Sequence, residues 1–368
     1  MPADSAFPTT CIPFIEARFF DPGETRHALE CRFAEHLRKL RGSRPDPGED
    51  EDPADGFEAR EAGLDIMDMR RIQRHAKRVV ARREAVSGLD HLKKEDRERL
   101  GVFRDGARLI RIDDEHRDDE IAAEIHAEMP WMSPATDLVW HAMRRSVREG
   151  WLGLRVPPIL LDGPPGIGKS HWARLLGDAI SAPTTVIEAT GENASFGVVG
   201  SQRGWGGSCP GRLIETVIQN RIANPVMVVD EIEKAGTSTS TKGLTFGLAE
   251  ALLPLLEPMT ARRWSCPYFQ VRFDMSWVMW VLTSNNHRLL PEPLLSRCPP
   301  LMMRNPGFAE LVDFVRCEGL RRKLSDAAIA SLIEALEHPS WRGRPPSLRV
   351  VIRMLTRAAD LENRPPLH

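Results

Sequence analysis

The run GPPGIGKS, residues 163–170, has residue types and a spacing suited to holding a chain of phosphates. Glycines let the backbone N–H groups turn toward one point, where they bind phosphate oxygens. Lys169 offers a cation to the β- and γ-phosphates, and Ser170 offers a hydroxyl to Mg²⁺. A strand-like run precedes the motif and a helical pattern follows it, which is the context that the motif requires. The candidate nucleotide-binding residues are Gly163, Pro164, Pro165, Gly166, Ile167, Gly168, Lys169, Ser170 and His171.

Two acids follow another apolar run, PVMVVDEIEK, about 60 residues further along the chain. The apolar residues predict a buried strand, and Asp230 and Glu231 stand at its carboxyl end, where ligands bind in open α/β sheets. We expect Asp230 to orient Mg²⁺ through water and Glu231 to polarise the attacking water. Because phosphoryl transfer depends mainly on positioning and charge, this acidic pair indicates hydrolysis as well as nucleotide binding.

A further buried strand is predicted by SWVMWVLTSNN, residues 276–286, which ends in polar side chains. Thr283, Ser284 or Asn285 could hold the attacking water between the acids and the γ-phosphate. The sequence alone leaves the choice among the three open.

The elements around these motifs alternate between strand and helix, which predicts an α/β fold with a parallel sheet flanked by helices. After Pro306, three helical patterns predict a small all-α subdomain: Phe308–Lys323, Ser325–Glu337 and Leu348–Leu361. Upstream, a mostly helical region is predicted. Thr25 is a candidate N-cap of a helix that reaches Arg41, and Ser133 is a candidate N-cap before Pro134.

Composition sets the predicted domain limits. An acidic stretch rich in Pro and Gly predicts a solvated linker, and a strongly charged helical region follows it. Within that region, RRIQRHAKRVVARR is a basic helix whose simplest interpretation is a solvated face, with nucleic-acid contact as the alternative. The predicted divisions are an N-terminal segment 1–45, the linker 46–63, the charged region 64–128, the α/β subdomain 129–305 and the small helical subdomain 306–368.

Whole-chain properties exclude several classes of protein. The formal net charge of −2 gives no global attraction to nucleic acids or acidic membranes. The six cysteines are scattered without a CxxC pair, which argues against structural zinc and against a disulfide framework. The sequence has neither a signal-peptide pattern nor an apolar run of about 18 residues. We therefore expect a cytoplasmic protein that does not enter membranes.

From about Pro130 to Leu361, the chain resembles the AAA+ ATPases, and within them the ATPase module of Lon proteases. The resemblance rests on these motifs and on the segments GSCPGRLIETVIQNRIANPV, ALLPLLEP and PEPLLSRCP in the same order. It implies a P-loop AAA+ fold, ATP and Mg²⁺ as cofactors, and assembly of identical chains into a hexameric ring. The role of sensor 1 falls on Asn285, that of the arginine finger on Arg297, and that of sensor 2 on Arg349, although Ser347 replaces the usual Gly.

The resemblance also implies a use for the sequence WGG, which is Trp205, Gly206 and Gly207. Lon proteases carry an aromatic–aliphatic–Gly pore loop at this place. An indole there would contact a threaded polypeptide over a large, rigid surface. Gly206 departs from the family pattern, which has an aliphatic residue at that position.

Taken together, the motifs and the resemblance predict an ATP-hydrolysing motor that remodels or unfolds protein substrates. Because the sequence stops at His368, after the small subdomain, we expect no peptidase activity. One alternative is a nucleic-acid-linked AAA+ motor or loader, which would need basic pore loops. The other is a nucleotide-gated chaperone or scaffold for one dedicated partner.

Overall fold

The computed structural model describes residues 9–42, 64–190, 194–204, 206–235, 238–239, 245–338, 341 and 345–363. The predicted linker 46–63 and Trp205 lie outside the described residues. The chain forms two compact units, which are Glu16–Arg104 and the combination of Met1–Ile15 with Asp105–His368. We call the first the helical unit and the second the sheet unit.

Short strands and helices follow one another along the chain. The strands are β1 (Thr9–Ile12), β2 (Ala107–Ile110), β3 (Ile159–Asp162), β4 (Thr184–Glu188), β5 (Val226–Asp230), β6 (Ser238–Thr239), β7 (Thr245–Phe246), β8 (Trp264–Ser265), β9 (Arg272–Phe273), β10 (Met279–Ser284) and β11 (Pro300–Met302). The helices are α1 (Arg26–Gly42), α2 (Ile66–Ser87), α3 (Lys94–Leu100), α4 (Glu115–Glu128), α5 (Ser133–Arg148), α6 (Lys169–Ala179), α7 (Ala194–Val199), α8 (Arg212–Asn220), α9 (Leu248–Leu256), α10 (Pro258–Ala261), α11 (Glu292–Arg297), α12 (Phe308–Arg321), α13 (Asp326–Glu337) and α14 (Leu348–Glu362).

The helical unit is built on the paired helices α1 and α2. Thr25 Oγ1 accepts a hydrogen bond from the Ala28 N–H at 3.2 Å, which confirms the predicted N-cap of α1. Asp65 and Asp68 form a reciprocal capping box at the start of α2. Gly88 ends α2 in the left-handed conformation that glycine adopts most easily. Local sequence signals therefore mark the start of both helices and the end of α2.

The sheet unit contains a five-stranded parallel sheet in the order β11-β3-β10-β5-β4. All four residues of β3 and all six of β10 are buried, because helices cover both faces of a parallel sheet. This confirms the predicted α/β class. The chain leaves β3 for β4 at one edge of the sheet, whereas β11 lies on the other side of β3. Ligands bind at such a reversal, outside the carboxyl ends of the strands.

The N-terminal boundaries differ from the predicted ones. Strand β1 pairs antiparallel with β2, so the first described residues belong to the sheet unit. Asn224 ties β2 to this unit, because its side chain bonds both the N–H and the carbonyl of Ile110 at 2.9 Å. Helix α4 also belongs there, with Ile121 and Ile125 buried in its core. The sheet unit thus resumes at Asp105, ahead of the predicted boundary at residue 128, because this charged helix hides an apolar stripe.

Ser133 does not cap α5, contrary to the sequence prediction. It is the first residue of the helix, Met132 holds the N-cap position, and no side-chain capping bond is present there. A short 3₁₀ helix, Pro130–Met132, leads directly into α5. The Ser133 N–H donates to the Pro130 carbonyl, so backbone hydrogen bonding continues from the 3₁₀ helix into α5 without a capping hydroxyl.

The small helical part comprises α12, α13 and α14, as predicted. Its buried residues Leu311, Val315, Val351 and Leu355 belong to the same continuous core as the sheet strands. This shared core fixes α12 and α14 beside the carboxyl edge of the sheet. Among the described residues, no helix is both long and apolar enough to cross a membrane.

Candidate nucleotide-binding site

The phosphate loop connects β3 to α6, which begins at Lys169. Gly166 and Gly168 have φ angles of 79° and 95°, in the left-handed region where a side chain is strained. A β-carbon on Gly163 would lie 2.6 Å from the Met303 carbonyl oxygen, so only glycine fits against the end of β11. Such a backbone lets the N–H groups of a loop converge on an anion, and the dipole of α6 also favours an anion at its start.

A buried tryptophan anchors the phosphate loop through a hydrogen bond. The Trp131 indole N–H donates to the Ile167 carbonyl at 2.9 Å, and only 1% of Trp131 is exposed. Ile167 is itself fully buried. The middle of the loop is therefore anchored in the core, while Pro165, Gly166 and Gly168 line the open cleft.

Lys169 is held by three oxygens at the end of the loop. Its Nζ donates to the carbonyls of Gly163 at 2.7 Å and Pro164 at 3.0 Å, and to Asn285 Oδ1 at 3.0 Å. The side chain is only 7% exposed. Burial lowers the pKa of the Lys169 ammonium, while the surrounding carboxylates, led by Glu233, act in the opposite direction. A buried cation with exchangeable carbonyl partners is suited to binding phosphate.

Asp230 joins two hydroxyl groups at the carboxyl end of β5. Its Oδ1 accepts hydrogen bonds from Ser170 Oγ at 2.6 Å and from Thr283 Oγ1 at 2.5 Å. Thr283 Oγ1 in turn accepts from the Glu231 backbone N–H at 3.0 Å. The first turn of α6 and the ends of β5 and β10 are thus connected through one carboxylate.

Glu231 lies beside this connection with an unusual backbone. Its φ of 53° is in the left-handed region. Asn285 Nδ2 donates to Glu231 Oε1 at 3.1 Å and to Glu233 Oε1 at 3.0 Å. Lys234 Nζ contacts Glu231 Oε2 at 2.8 Å. The hydrogen bond from Lys234 holds the pKa of the Glu231 carboxyl below its ordinary value, which favours the ionised form that can accept a proton.

A buried carboxylate, that of Asp162, ties the loop after β10 to the phosphate loop. Asp162, the last residue of β3, is 4% exposed and accepts from the His287 backbone N–H at 2.8 Å. Its other oxygen lies 2.8 Å from His287 Nδ1. Asp162 therefore fixes the segment two residues beyond Asn285 directly next to Gly163.

A cleft of about 680 Å³ lies between the sheet edge and the small helical part, and it is lined by Lys169, Ser170, Asp230, Glu231, Thr283 and Asn285 among others. Gly166 faces α14, because a β-carbon placed on it would lie 3.6 Å from Cβ of Arg349. At the rim, Glu128 makes a two-point ion pair with Arg321 of α12, at 2.7 and 3.1 Å. His171 Nε2 lies 3.4 Å from the same carboxylate, and Arg321 holds the Glu128 pKa below its ordinary value. The ion pair joins α4 to α12 across the cleft.

Most of the residues predicted from sequence come together at this cleft. Those lining it are Pro165, Gly166, Gly168, Lys169, Ser170, His171, Asp230, Glu231, Asn285 and Arg349. Three other predicted residues belong to the loop but do not line the cleft, namely Gly163, Pro164 and Ile167. Of the three alternatives at the end of β10, Thr283 and Asn285 line the cleft and Ser284 does not.

Arg297, Gly206 and Gly207 do not line the cleft. Arg297 Nη1 donates to the Pro293 carbonyl at 2.9 Å, and its Nε lies 3.9 Å from Glu257 Oε2. Gly206 and Gly207 are exposed, and a β-carbon on either would meet no described atom within 4 Å.

The donor set fits a nucleotide with Mg²⁺. A serine hydroxyl, an aspartate carboxylate and a buried lysine lie around the N-terminus of α6, and Mg²⁺ is commonly held by one or two carboxylates together with substrate phosphates and water. Within the described residues, no group of three or more His, Cys, Asp or Glu side chains forms a metal site of its own. Ser170 and Asp230 are the residues that would hold the ion.

Comparison with known families identifies this region. The family model described as "ATPase family associated with various cellular activities (AAA)" matches residues 159–304. These residues are similar to AAA domains, and we refer to the matched segment as the AAA domain. The match begins at β3 and ends just after β11, so the AAA domain contains the whole parallel sheet and its nucleotide-binding motifs.

Lon proteases are similar to the chain over the AAA domain and its flanks. The peroxisomal Lon protease homolog 2 of Oryza sativa subsp. indica is 28% identical over 264 residues, which is 65% of this chain and 28% of that protein. The Lon protease of Mycoplasma pneumoniae is 30% identical over 176 residues, or 48% of this chain and 22% of its own length. That of Clostridium acetobutylicum is 35% identical over 152 residues, or 41% and 19%. The chain thus spans less than a third of the length of these relatives, and the AAA domain is a Lon-like module.

Several contacts at the cleft could not be predicted from the sequence. They involve Glu128, Trp131, Asp162, Glu233, Lys234, His287 and Arg321. Glu233 and Lys234 belong to the DEIEK run. Their closeness to Glu231 in the sequence was the one feature from which their contacts could have been predicted. The other contacts join residues far apart in sequence.

Proposed function

We propose that the chain is an ATP-hydrolysing AAA+ module that acts in a ring, hexameric by analogy, and remodels protein substrates. The observation that carries the hydrolytic part is the single hydrogen-bond network at the sheet edge. It links Ser170, Asp230, Thr283, Glu231, Asn285 and Lys169. This is a set of groups that can hold phosphates, a cation and a water molecule at once.

Each side chain has a distinct task in this proposal. Lys169 binds the outer phosphate oxygens, and Ser170 and Asp230 hold Mg²⁺, which would neutralise charge on the phosphates. Glu231 accepts the proton of the attacking water, and Asn285 orients that carboxylate through its Nδ2. Arg349, on the first turn of α14, offers a cation from the opposite wall of the cleft.

Measured ATP turnover by the purified full chain tests this assignment. Glu231→Gln should bind ATP but lose turnover, because the amide cannot accept the proton. Lys169→Ala should lose binding itself. Glu233→Gln is the matched control, since Glu233 also contacts Asn285 but does not line the cleft. We expect it to retain at least tenfold more activity than Glu231→Gln, and equal turnover in the two variants would contradict the assignment.

The ring part of the proposal rests on Arg297. Its guanidinium is held at the surface by Pro293 and Glu257 and does not reach the cleft of its own chain. An arginine so placed can act on ATP bound by a neighbouring copy. Arg297→Ala alone and Glu231→Gln alone should both be inactive, whereas mixing the two should restore part of the turnover. Absence of any oligomer with ATP, together with full activity of the monomer, would exclude the ring.

The protein-substrate part rests on the loop that carries WGG. The stem of this loop is closed by a bridge between Gly200 and Pro210, and Ser201 N–H donates to the Cys209 carbonyl at 3.1 Å. Beyond that stem the described glycines are exposed. Casein should stimulate ATP turnover of the unmodified chain. Trp205→Ala should abolish that stimulation and Trp205→Tyr should keep it, because tyrosine retains a flat ring. Equal stimulation in the two variants would contradict this role.

A further inference from the structure

A basic groove lies between α1 and α2 in the helical unit, and none of the nucleotide-binding motifs contributes to it. Its volume is about 720 Å³. The cationic side chains that line the groove are Arg41, Arg71, Arg74 and Arg78, and the imidazoles of His36 and His75 lie beside them. One carboxylate, that of Asp68, is also part of the lining. The groove is independent of the proposed ATPase function.

The positive charge of the groove is only partly neutralised by the described residues. Arg41 Nη2 pairs with Asp68 Oδ2 at 2.7 Å, and the same carboxylate accepts the Asp65 backbone N–H at 3.1 Å. These contacts, the backbone bond first, hold the pKa of the Asp68 carboxyl below its ordinary value. Among the described residues, Arg71, Arg74 and Arg78 have no carboxylate within ion-pair distance. These three guanidinium groups therefore line the groove without an ion-pair partner in that part of the chain.

These three arginines form one row along α2. Residues 71, 74 and 78 are three and four positions apart, which places them on one face of a helix. The first and last are separated by about 10 Å along the axis, at about 1.5 Å per residue. Because a guanidinium fork matches the oxygens of a phosphate in two-point contacts, arginine is favoured over lysine where phosphates are bound.

The groove also has an aromatic wall. The rings of Phe33 and His75 meet edge to face with centroids 4.9 Å apart, and His75 is exposed to the groove. A positively charged groove with flat side chains beside it is the arrangement that proteins use for single strands, whose phosphates follow the cations and whose bases stack on rings. An acidic peptide would use the charges but would gain little from the rings.

We propose that this groove binds single-stranded nucleic acid through its phosphate backbone. Arg71, Arg74 and Arg78 contact successive phosphates, and the imidazole of His75 supplies a surface for a base. Duplex nucleic acid is disfavoured, because a groove between two helices admits one strand more readily than a rigid double helix.

The test uses fluorescence anisotropy of a labelled 20-nucleotide oligo-dT with the full chain at several salt concentrations. The unmodified chain should bind it. The logarithm of the binding constant should fall linearly with the logarithm of the salt concentration. Arg71→Gln combined with Arg78→Gln should weaken binding at least tenfold. It should also reduce the salt slope by about 1.4, because each of the two neutralised phosphates on a single strand accounts for about 0.7 of that slope.

Arg70→Gln combined with Lys77→Gln is the matched control. It removes two exposed charges of the same helix at the same seven-residue spacing, shifted by one position, and neither residue lines the groove. We expect its affinity to stay within about twofold of the unmodified chain, with thermal melting confirming that both variants fold. Equal reductions in affinity in the two pairs would overturn the groove assignment. So would absence of oligo-dT binding, tighter binding of the matching duplex, or tighter binding of a 20-residue polyglutamate peptide.

Discussion

Replacing Asn285 by Ala tests whether the side-chain amide orients the Glu231 carboxylate, which we propose polarises the attacking water. The change removes an acceptor from Lys169 Nζ and two donated bonds, to Oε1 of Glu231 and Oε1 of Glu233, all between 3.0 and 3.1 Å. The backbone N–H of Asn285, which donates to Glu233 at 3.0 Å, is retained. The local chain should therefore keep its course while the amide hydrogen bonds disappear.

The size of the effect follows from the two donated bonds. A hydrogen bond to a charged group contributes about 1.5–3 kcal/mol. Because both carboxylates are partly exposed and water can replace the amide, we take about half of the combined value, which is about 1.5–3 kcal/mol in total. At about 1.4 kcal/mol per factor of ten, kcat should fall by about 10- to 150-fold. KM should change less, since Lys169 keeps the Gly163 and Pro164 carbonyls.

Asn285→Asp separates the acceptor function from the donor function. Aspartate keeps an oxygen for Lys169 but replaces the donor by a negative charge beside Glu231 and Glu233. If the donated bonds matter, the Asp variant should be slower than the Ala variant. Steady-state ATP turnover gives kcat and KM for both. An Asp variant with more than half of the normal kcat, or an Ala variant changed only in KM, would refute this reasoning. Asn286→Ala, next to the site but outside the cleft, controls for reduced stability alone.

Three further predictions test other contacts. Lys234→Ala should move the acid limb of the ATPase pH profile to higher pH, because the ion pair that lowers the Glu231 pKa is removed; an unmoved limb would mean that Glu231 is not the base. Glu128→Gln and Arg321→Gln should each raise KM for ATP a few-fold, and the double variant should be no worse than either single one, since both break the same ion pair across the cleft. Asp118→Asn should raise the melting temperature at pH 8 and flatten its pH dependence. Burial raises the pKa of the Asp118 carboxyl to about 7, so the native protein binds the proton more tightly than the unfolded chain and loses stability as pH rises from about 4 to about 7.

The Asp118 prediction has a clear physical basis. The residue is fully buried in α4, and neither carboxylate oxygen has a hydrogen-bond partner among the described residues. The charged groups around it are Asp114, Glu115 and Asp119 on or next to its own helix and Arg144 on α5. A rise from 3.8 to about 7 corresponds to a penalty on the order of 4 kcal/mol for the ionised form at pH 8. Unfolding curves of both proteins are measured at pH 4.5 and pH 8. If the change in stability between the two pH values is as large in Asp118→Asn as in the unmodified chain, the buried Asp118 carboxyl is not its cause.

Local sequence was sufficient to predict the glycine-rich loop between β3 and α6 and the place of the two acids at the carboxyl end of β5. The loop depends on glycines at positions 166 and 168, whose left-handed backbone is a property of the residues themselves. The acids follow an apolar strand, and parallel strands bring their carboxyl ends to one edge. The residues alone left Thr283, Ser284 and Asn285 open, and the family resemblance favoured Asn285 as sensor 1. The structure places the Asn285 amide 3.1 Å from the Glu231 carboxylate, a contact that was not predicted.

Contacts between distant segments could not be predicted in the same way. Glu128 and Arg321 are separated by 193 residues, and Asp162 and His287 by 125 residues. The first pair requires the packing of α12 to be known, and the second requires the order of the strands. A single charged residue in a sequence does not indicate which residue it will pair with. Ser133 failed for a different reason. A serine before a helical pattern can be an N-cap or the first helical residue, and the preceding 3₁₀ turn decides between them.

The backbone of Glu231 explains how two adjacent acids can serve one cleft. In an extended strand, consecutive side chains point to opposite faces of the sheet, so a straight continuation of β5 would separate Glu231 from Asp230. The left-handed conformation at Glu231 breaks that alternation, at a cost of about 1–2 kcal/mol, and a 3₁₀ turn at Ile232–Lys234 follows. Both carboxylates then line the cleft. The hydrogen bond from the Glu231 N–H to Thr283 Oγ1 offsets part of the strain. The same Thr283 hydroxyl donates to Asp230, so the two acids share one partner on β10. The position of the candidate base is thus set by β10 as much as by β5.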